Sequence, residues 1–340
     1  EDWQYFADAA TALRERMMAH LFNADTGGFV LNYDQAQNYQ DNFTADEVFP
    51  VLFEVASVEQ RRDILRRLCE DDFLTPVGLR TISIADSWYF PSHGFGLLGG
   101  VWPDLTLWFA VALARHGMVR ECIAWLERVY AAMERGNRTN TVPGQFGEWF
   151  DGGSLTNRGM YLSPWTGAKY LWAVAETVCG LDGYRTSGRV HIAPLVPAEW
   201  KWVAAGRVHR GGGLCSYVVD LRGEIVYCDL QDASAEPPLR AVYAGRDVSH
   251  DVEITPIEVG AVAFEGARGV RLFLLNGNDA PRDVAVAFRG RHYRERLEAG
   301  ALRQIEIGKP DPVPAGVREP ASQGRRGSSK KRGSSELPSR

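Results

Sequence analysis

Hydrophobic residues recur at helical spacing through the first half of the chain. Six of them predict a first helix over residues 3–22: Trp3, Phe6, Ala10, Leu13, Met17 and Leu21. Two capping-box patterns, Thr44 with Glu47 and Ser57 with Gln60, start the second and third helices, and Pro50 implies a kink or a later start in the second. Start and stop residues predict three more helices, over 103–116, 118–135 and 163–179.

Beyond Gly183 the hydrophobic period changes to two, which is the spacing of strands. Turn residues separate the segments at the spacing of a β-sandwich. The predicted strands are 190–195, 206–209, 215–221, 225–230, 239–243, 252–255, 270–275, 284–288, 293–297 and 302–307. Residues 309–340 are rich in Pro, Gly, Ser, Lys and Arg, and this composition predicts disorder.

These patterns predict an α+β, multi-domain chain. We expect a helical domain over 1–183, a β-sandwich-like domain over 184–308 and a disordered basic tail over 309–340. Helix pairs in which longer loops precede alternate helices are typical of a layered or toroidal all-α domain. The loops before the fourth and sixth helices should therefore emerge at the same end.

The candidate chemistry is concentrated in the loop that precedes the sixth helix. Glu148 stands between glycines and aromatic residues in this loop, beside Trp149, and Trp165 opens the helix that follows. Carboxylates among exposed aromatic rings are typical of a sugar site, because glycosidic bonds are cleaved by pairs of carboxyl groups. Glu148 is accordingly a candidate general base, although an exposed loop glutamate has the same local sequence.

Other candidates for sugar contacts lie in the long loop over 73–101 and at the start of the fourth helix. Four tryptophans occupy loop or helix-start positions, where an aromatic ring can stack on a sugar: Trp88, Trp102, Trp149 and Trp165. Asp104 could bind sugar hydroxyls or only complement the helix dipole. Three further residues could either bind sugar or serve the structure: Arg80, His93 and Asp151.

Charge and motifs exclude several classes of function. The net charge is −5; the segment 318–340 contributes +5 and the rest of the chain −10, which argues against a nucleic-acid partner. The longest apolar runs are too short to span a membrane. No nucleotide-binding, metal-binding or α/β-hydrolase motif is present, so no cofactor or metal is predicted. Five cysteines without a C-x-x-C pair indicate buried thiols in a reducing compartment, and hence the cytoplasm.

Four segments resemble one group of glycoside hydrolases. Gly99-Gly-Val-Trp-Pro-Asp-Leu105, the upstream Phe73–Ser83 segment, and Gly147-Glu-Trp-Phe-Asp-Gly152 with Ser163-Pro-Trp-Thr-Gly167 resemble (α/α)6-barrel enzymes. The most similar are bacterial glycogen-debranching (amylo-α-1,6-glucosidase-like) proteins, with trehalases, processing α-glucosidases and mannosylglycerate hydrolases. Ile192–Trp200 is similar to the strand-rich appendage of some debranching-type proteins.

The resemblance implies an inverting hydrolase of α-glucosidic or related bonds in oligosaccharides or polysaccharides. It assigns the base to Glu148 and places Trp102 and Trp165 in the sugar pocket. It also implies that the general acid lies in an N-terminal half of the barrel, which this sequence does not contain. Three alternatives stay open: a disaccharide phosphorylase of the same fold, a carbohydrate-binding fragment without catalysis, and a helical scaffold for protein partners.

Overall fold

The computed structural model describes residues 2–33, 35–36, 38–134, 142–181, 190–210, 213–267 and 269–308. Within these ranges the chain forms a helical part followed by a strand-rich part, which is the α+β arrangement that the sequence predicts. The predicted boundary at 183/184 and the predicted tail over 309–340 lie outside the described residues.

Six α-helices lie within the described ranges. They are α1 (Asp2–His20), α2 (Val48–Leu52), α3 (Val58–Leu68), α4 (Pro103–Arg115), α5 (Val119–Glu134) and α6 (Pro164–Glu176). The same ranges contain three short 3-10 helices, at Ala45–Glu47, Gly94–Gly96 and Ser249–Asp251.

The helix starts follow from local capping, with one correction. Ser57 and Gln60 form the predicted reciprocal capping box at α3. Thr44 also caps, but it caps the 3-10 helix, where its hydroxyl accepts a hydrogen bond from the N–H of Asp46. The Glu47 side chain does not close the box, because it binds the backbone N–H of Phe29 instead. The helix that contains Pro50 therefore begins later, at Val48, as the misplaced proline implied.

Three helices lie side by side and are joined by a row of aromatic rings. The Phe49 ring of α2 contacts the Trp108 ring of α4 at a centroid distance of 6.0 Å. Trp108 contacts Trp172 of α6 at 4.7 Å. The next residue of α4, Phe109, points to the other side and packs on Trp125 of α5. The helical part is thus layered, with α2, α4 and α6 in one layer and α5 behind α4.

The first helix differs from the others. It forms as the spacing predicts, but it buries none of its residues, and Trp3 is 77% exposed. Only its C-terminal end and the chain just beyond it reach the core of the helical part, through Met18 and Leu21.

Short strands organise the loops of the helical part. They are β1 (Phe22–Asn23), β2 (Gly28–Phe29), β3 (Asn32–Tyr33), β4 (Tyr39–Gln40), β5 (Leu74–Thr75) and β6 (Gly78–Leu79). Each forms an antiparallel pair with its neighbour in sequence.

The strand-rich part contains β7 (His191–Ile192), β8 (Trp202–Arg210), β9 (Gly213–Asp220), β10 (Ile225–Cys228), β11 (Ser234–Ala235), β12 (Arg240–Tyr243), β13 (Arg246–Asp247), β14 (Val252–Thr255), β15 (Gly260–Gly266), β16 (Gly269–Leu275), β17 (Arg282–Phe288), β18 (Arg291–Leu297) and β19 (Leu302–Gly308).

The long strands form three stacked sheets, which is one layer more than a two-sheet sandwich. Their orders are β12-β10-β9-β8, β13-β15-β16-β19 and β14-β17-β18. Phe273 of β16 packs towards the first sheet, beside Tyr227. Leu272 and Leu274 of the same strand pack towards the third sheet. Apart from Arg271, whose guanidinium lies over the Tyr227 ring, the side chains of β16 are apolar on both faces, so the strand can lie in a central layer.

Candidate functional site

The loops before α4 and α6 meet in an irregular ladder of backbone hydrogen bonds. The N–H of Val101 donates to the carbonyl of Phe150 at 2.8 Å, and the reverse bond has the same length. Thr81 donates to the carbonyl of Gly100 at 2.9 Å, so the long loop over 73–101 is joined to the same ladder. The segments that carry the family resemblance are therefore adjacent, at the same end of α4 and α6.

Glu148 is half-buried and held by one loop residue. Its N–H donates to the carbonyl of Met160 at 3.0 Å, and its Oε2 accepts a hydrogen bond from the N–H of Met160 at 2.8 Å. A Cβ on Gly159 would lie 2.6 Å from this oxygen, so only glycine allows the approach. Oε1 forms no hydrogen bond with another described residue. One carboxylate oxygen is thus fixed by the chain, and the other is not.

Trp102 and Trp149 form a stacked pair beside this carboxylate. Their ring centroids are 6.5 Å apart and the rings are inclined by 16°. Trp149 is only 6% exposed, because it packs on Gly96, where a Cβ would lie 2.5 Å from its ring. The Nε1–H of Trp102 donates to the carbonyl of Phe95 at 2.9 Å. Trp149 therefore supports Trp102, which is the half-exposed ring of the pair.

Phe95 is an exposed aromatic residue that the sequence analysis did not identify. Its side chain is 71% exposed, and its φ of +58° is unusual for a residue other than glycine. We call the loops before α4 and α6 that carry Trp102, Glu148 and Trp149 the loop cluster. The hydrogen bond between Trp102 and the backbone carbonyl of Phe95 places the Phe95 ring at this cluster. No local sequence signal distinguishes Phe95, since a glycine-flanked aromatic residue in a loop is common.

Trp165 and Trp88 are both exposed on loops or helix starts, as predicted. Trp165 lies in the first turn of α6, which Ser163 caps by accepting a hydrogen bond from the N–H of Thr166. The hydroxyl of Thr166 lies 3.3 Å from the carbonyl of Gly147, its acceptor, and so ties this helix start to Glu148.

Asp104 is paired with a lysine that the sequence analysis missed. The ammonium group of Lys169 lies 3.2 Å from Asp104 Oδ2 and 4.6 Å from the centre of the Trp108 ring. Lys169 follows Trp165 by one helical turn, so the two lie on the same face of α6. The spacing of Trp165 and Lys169 can be read from the sequence. The ion pair cannot, because Asp104 lies on another helix.

The other three predicted site residues have structural contacts. The guanidinium of Arg80 donates to the carbonyl of Leu74 at 2.6 Å. His93 is exposed and lies beside the Phe90 ring. Asp151 is buried and accepts hydrogen bonds from the N–H groups of Gly153 and Ser154 at 2.9 and 2.8 Å.

The carboxyl of Asp151 is held in its charged form. Burial alone would raise the pKa of Asp151, but the hydrogen bonds from the Ser154 and Gly153 backbone outweigh burial, and the pKa lies below its ordinary value. This arrangement closes the turn at 151–155, since the N–H of Leu155 also donates to the Asp151 carbonyl. Whether Asp151 also contacts a sugar stays a prediction.

Glu47 is a buried carboxyl that the sequence analysis interpreted as part of a capping box. It is 3% exposed, and burial is the main cause that raises its pKa to about 8. The N–H of Phe29 donates to its Oε1 at 2.7 Å, and this bond opposes the rise. Among the described residues its Oε2 has no hydrogen-bond partner. Because the group is enclosed, it cannot reach a substrate directly.

Two further features are absent from the described residues, a metal-binding cluster and a membrane-spanning helix. No group of three or more His, Cys, Asp and Glu side chains there could hold a metal ion. None of the helices described is both long enough and apolar enough to cross a bilayer.

One family model matches the first half of the chain, which contains this cluster. Residues 1–173 match the model of the family described as the mannosylglycerate hydrolase MGH1-like glycoside hydrolase domain. No curated protein is significantly similar to the chain.

Among solved structures, a sialidase is similar over 65% of this chain and 21% of its own length, with 18% identity and a TM-score of 0.52. This likeness concerns the fold alone. A GH63 mannosylglycerate hydrolase from Thermus thermophilus in complex with Tris is 16% identical over 46% of this chain and 35% of its own, with a TM-score of 0.37. A neutral trehalase from Saccharomyces cerevisiae is 15% identical over 47% and 28%, with a TM-score of 0.38. The chain thus spans about a fifth to a third of the length of these proteins.

Proposed function

Because the chain belongs to the mannosylglycerate hydrolase MGH1-like glycoside hydrolase family, we propose that it supplies the base-bearing part of an inverting glycoside hydrolase. The substrate would be an oligosaccharide or polysaccharide with α-glucosidic or related bonds. The observation that supports this most directly is the Glu148 carboxylate, held by Met160 beside the half-exposed Trp102 ring.

In this proposal Glu148 acts as the general base. An inverting enzyme removes a proton from a water molecule while the water oxygen attacks the anomeric carbon. The glycosidic oxygen leaves and takes a proton from a carboxylic acid on the opposite face of the sugar. Oε2 is fixed by Met160, so Oε1 would accept the proton of the water. Trp102 and Trp165 would stack on the sugar, and Trp88 and Asp104 would line the approach.

The general acid would come from a part of the ring that is not in this sequence. We propose that α2, α4 and α6 form part of the inner layer of an (α/α)6 toroid, in the second half of the barrel, as in related six-hairpin glycosidases. The helical domain would extend over 1–183 and the strand-rich domain over 184–308. The unburied first helix fits this arrangement, because an N-terminal half-barrel would offer it a packing partner.

A carbohydrate-binding fragment without catalysis is the second candidate. It is favoured by the state of the other acidic residues in these loops, which are already engaged by protein groups. Asp104 pairs with Lys169, and Asp86 accepts hydrogen bonds from the amide of Asn42. Asp151 is occupied by its own turn. The loops described here therefore offer Glu148 no free carboxyl partner.

The decisive experiment substitutes Glu148→Gln in the full-length native protein. The measurements are glucose release from α-linked glucose disaccharides and the anomer that forms first, followed by NMR. Loss of the base should lower kcat by about 10²–10⁴-fold while sugar binding persists. Glu253→Gln, an exposed glutamate on β14, is the control and should keep full activity.

Three outcomes separate the candidates. An inverted first product together with the loss in Glu148→Gln supports the hydrolase. Binding of sugar without turnover in the unaltered protein supports the binding fragment. An unchanged kcat in Glu148→Gln overturns the base assignment.

A reducing compartment, and hence a cytoplasmic location, is part of the same proposal. It is supported by free thiols in both parts of the chain, among them Cys69, Cys122, Cys179 and Cys228.

A further inference from the structure

Helices α4 and α6 contact each other through three matched pairs of side chains. Asp104 pairs with Lys169, the Trp108 ring packs on the Trp172 ring, and Arg115 pairs with Glu176. Residue numbers rise together in the three pairs, so the helices run parallel. Their N-termini therefore lie together at the end where the loop cluster is found.

The first of these pairs adjoins the candidate site on both helices. On α4, Asp104 follows the half-exposed Trp102 by two residues. On α6, Lys169 lies one turn after Trp165, and the start of this helix is tied to the carbonyl of Gly147, next to Glu148. The pair thus lies on the surface that α4 and α6 form next to the loop cluster.

The Asp104–Lys169 pair is fixed in place and yet accessible. Its Nζ–Oδ2 distance is 3.2 Å, and the Trp108 ring 4.6 Å away holds the ammonium group from another side. The side chains of Lys169 and Asp104 keep 22% and 25% exposure. If the pair served stability alone, it would add little to the free energy of unfolding, because a partly exposed ion pair contributes about 0–1 kcal/mol.

The pair offers one acceptor and one donor side by side. An ionised carboxylate accepts hydrogen bonds on both oxygens, and Lys169 engages only Oδ2. An ammonium group has three N–H donors, and one of them points at Asp104. Two neighbouring hydroxyl groups of a pyranose can satisfy this combination, since each hydroxyl both donates and accepts.

We propose that Asp104 and Lys169 together bind two adjacent hydroxyl groups of a neutral pyranose, and that Lys169 is a specificity-determining residue of the site. This inference rests on the proposed function and adds the part of the sugar that is recognised. The charges of the pair cancel, so it selects a sugar with a free vicinal diol over one that carries an anionic group there. Asp104 alone would leave an unpaired negative charge on this surface.

The test measures binding of methyl α-D-glucopyranoside and its monodeoxy analogues to the full-length protein by calorimetry. Lys169→Met keeps the length of the side chain and removes its charge. We expect this variant to bind the parent sugar about tenfold more weakly, because a hydrogen bond to a charged group is lost. The monodeoxy analogue that lacks the hydroxyl bound by Lys169 should then bind Lys169→Met and the unaltered protein equally.

The chain offers a matched control in the third pair. Arg115→Met removes an ion pair between the same two helices, about 16 Å further along α4 from Asp104. It should lower thermal stability about as much as Lys169→Met and leave sugar affinity unchanged. Asp104→Asn, which keeps the shape of the side chain, gives a second variant and should also weaken binding of the parent sugar.

The results separate this inference from the function on which it rests. Equal affinity of Lys169→Met and the unaltered protein for the parent sugar overturns the assignment of the pair and leaves the hydrolase proposal standing. An equal loss in Lys169→Met and Arg115→Met also overturns it, since the effect would then be structural. If the unaltered protein binds no glucoside, both proposals fail.

Discussion

The helical and strand-rich parts of this chain use their polar residues differently. In the helical part, Glu148 and the Asp104–Lys169 pair stand half-buried among aromatic rings at one end of the helices. In the strand-rich part, the aromatic residues Phe264 and Phe273 are fully buried between sheets. Charged residues on its surface form networks, such as Arg289 with Asp251 and Glu265.

This difference follows from how each part makes its core. Stacked sheets bury aromatic rings between layers, and long strands leave little irregular backbone. Helices that begin at one end of a layer need long loops there, and loops held by a rigid scaffold can present side chains to a ligand. These differences support the proposal that ligand chemistry belongs to the helical part of the chain.

The largest expected effect comes from truncating one core ring in each part. Phe273→Ala and Phe109→Ala both remove fully buried rings, and each should lower the free energy of unfolding by about 3–5 kcal/mol. Scanning calorimetry should assign each loss to a different transition, because Phe273 lies in the strand-rich core and Phe109 in the helical core. Only Phe109→Ala should weaken sugar binding near the transition temperature.

An equal loss of binding in both variants would contradict the comparison. The two parts do touch, since the Tyr217 hydroxyl donates to the carbonyl of Cys179 at 2.5 Å. If that contact couples their unfolding, a single transition will move in both variants.

The second effect is a pH dependence specific to the helical part. Burial raises the pKa of Glu47 from 4.5 to about 8, with a contribution from the nearby charge of Asp46. Between these values the folded chain holds a proton that the unfolded chain has lost, so stability falls as pH rises from about 4.5 to about 8. The slope should approach about 1.4 kcal/mol per pH unit at its steepest. Denaturant unfolding at a series of pH values measures it.

Glu47→Gln should remove this slope, because the amide keeps the size of the side chain and cannot ionise. Glu265 of the strand-rich part gives the opposite behaviour. Its two arginine partners, Arg289 and Arg246, lower its pKa from 4.5 to about 2, so its contribution is lost as pH falls through that range. Glu265→Gln should leave the slope above pH 4.5 unchanged. If stability still falls with pH between about 4.5 and about 8 in Glu47→Gln, the pH dependence does not come from Glu47.

The sequence predicted most elements and part of the site, and the limits have physical reasons. Signals that act within a few residues were reliable: the Ser57–Gln60 box and the proline at the start of α4 both lie where the structure has them. The strand β15 was missed because its Gly260-Ala-Val-Ala263 segment is rich in residues of low strand propensity. It forms because β16 and β13 supply partners on both sides.

The candidate site residues likewise divide into those with a local sequence signal and those that depend on a distant partner. Glu148 and Trp102 could be found because they stand in segments that resemble known enzymes. Lys169 could not, since its role depends on Asp104, a partner on a different helix. Thr44 and Glu47 fit a local rule, but the tertiary contact with Phe29 decides where the carboxyl of Glu47 lies.

The smallest effect concerns two residues that share an unusual backbone conformation. Phe95 in the helical part has φ +58°, and Arg207 in the strand-rich part has φ +54°. Glycine relieves the strain of this conformation, which is about 1–2 kcal/mol, but it costs about 0.5–1 kcal/mol in chain entropy. Phe95→Gly and Arg207→Gly should therefore each raise the free energy of unfolding by about 0–1.5 kcal/mol.

Sugar affinity should separate these two variants. Phe95→Gly removes an exposed ring but keeps the backbone carbonyl that accepts the Trp102 hydrogen bond. We therefore expect this variant to bind methyl α-D-glucopyranoside several-fold more weakly despite its stability. Arg207→Gly changes a bulge whose N–H donates to Ser216, within the strand-rich part, and should bind normally. Phe95→Tyr keeps the ring and should restore binding. If Phe95→Gly binds as well as the unaltered protein, the exposed ring of Phe95 has no part in sugar contact.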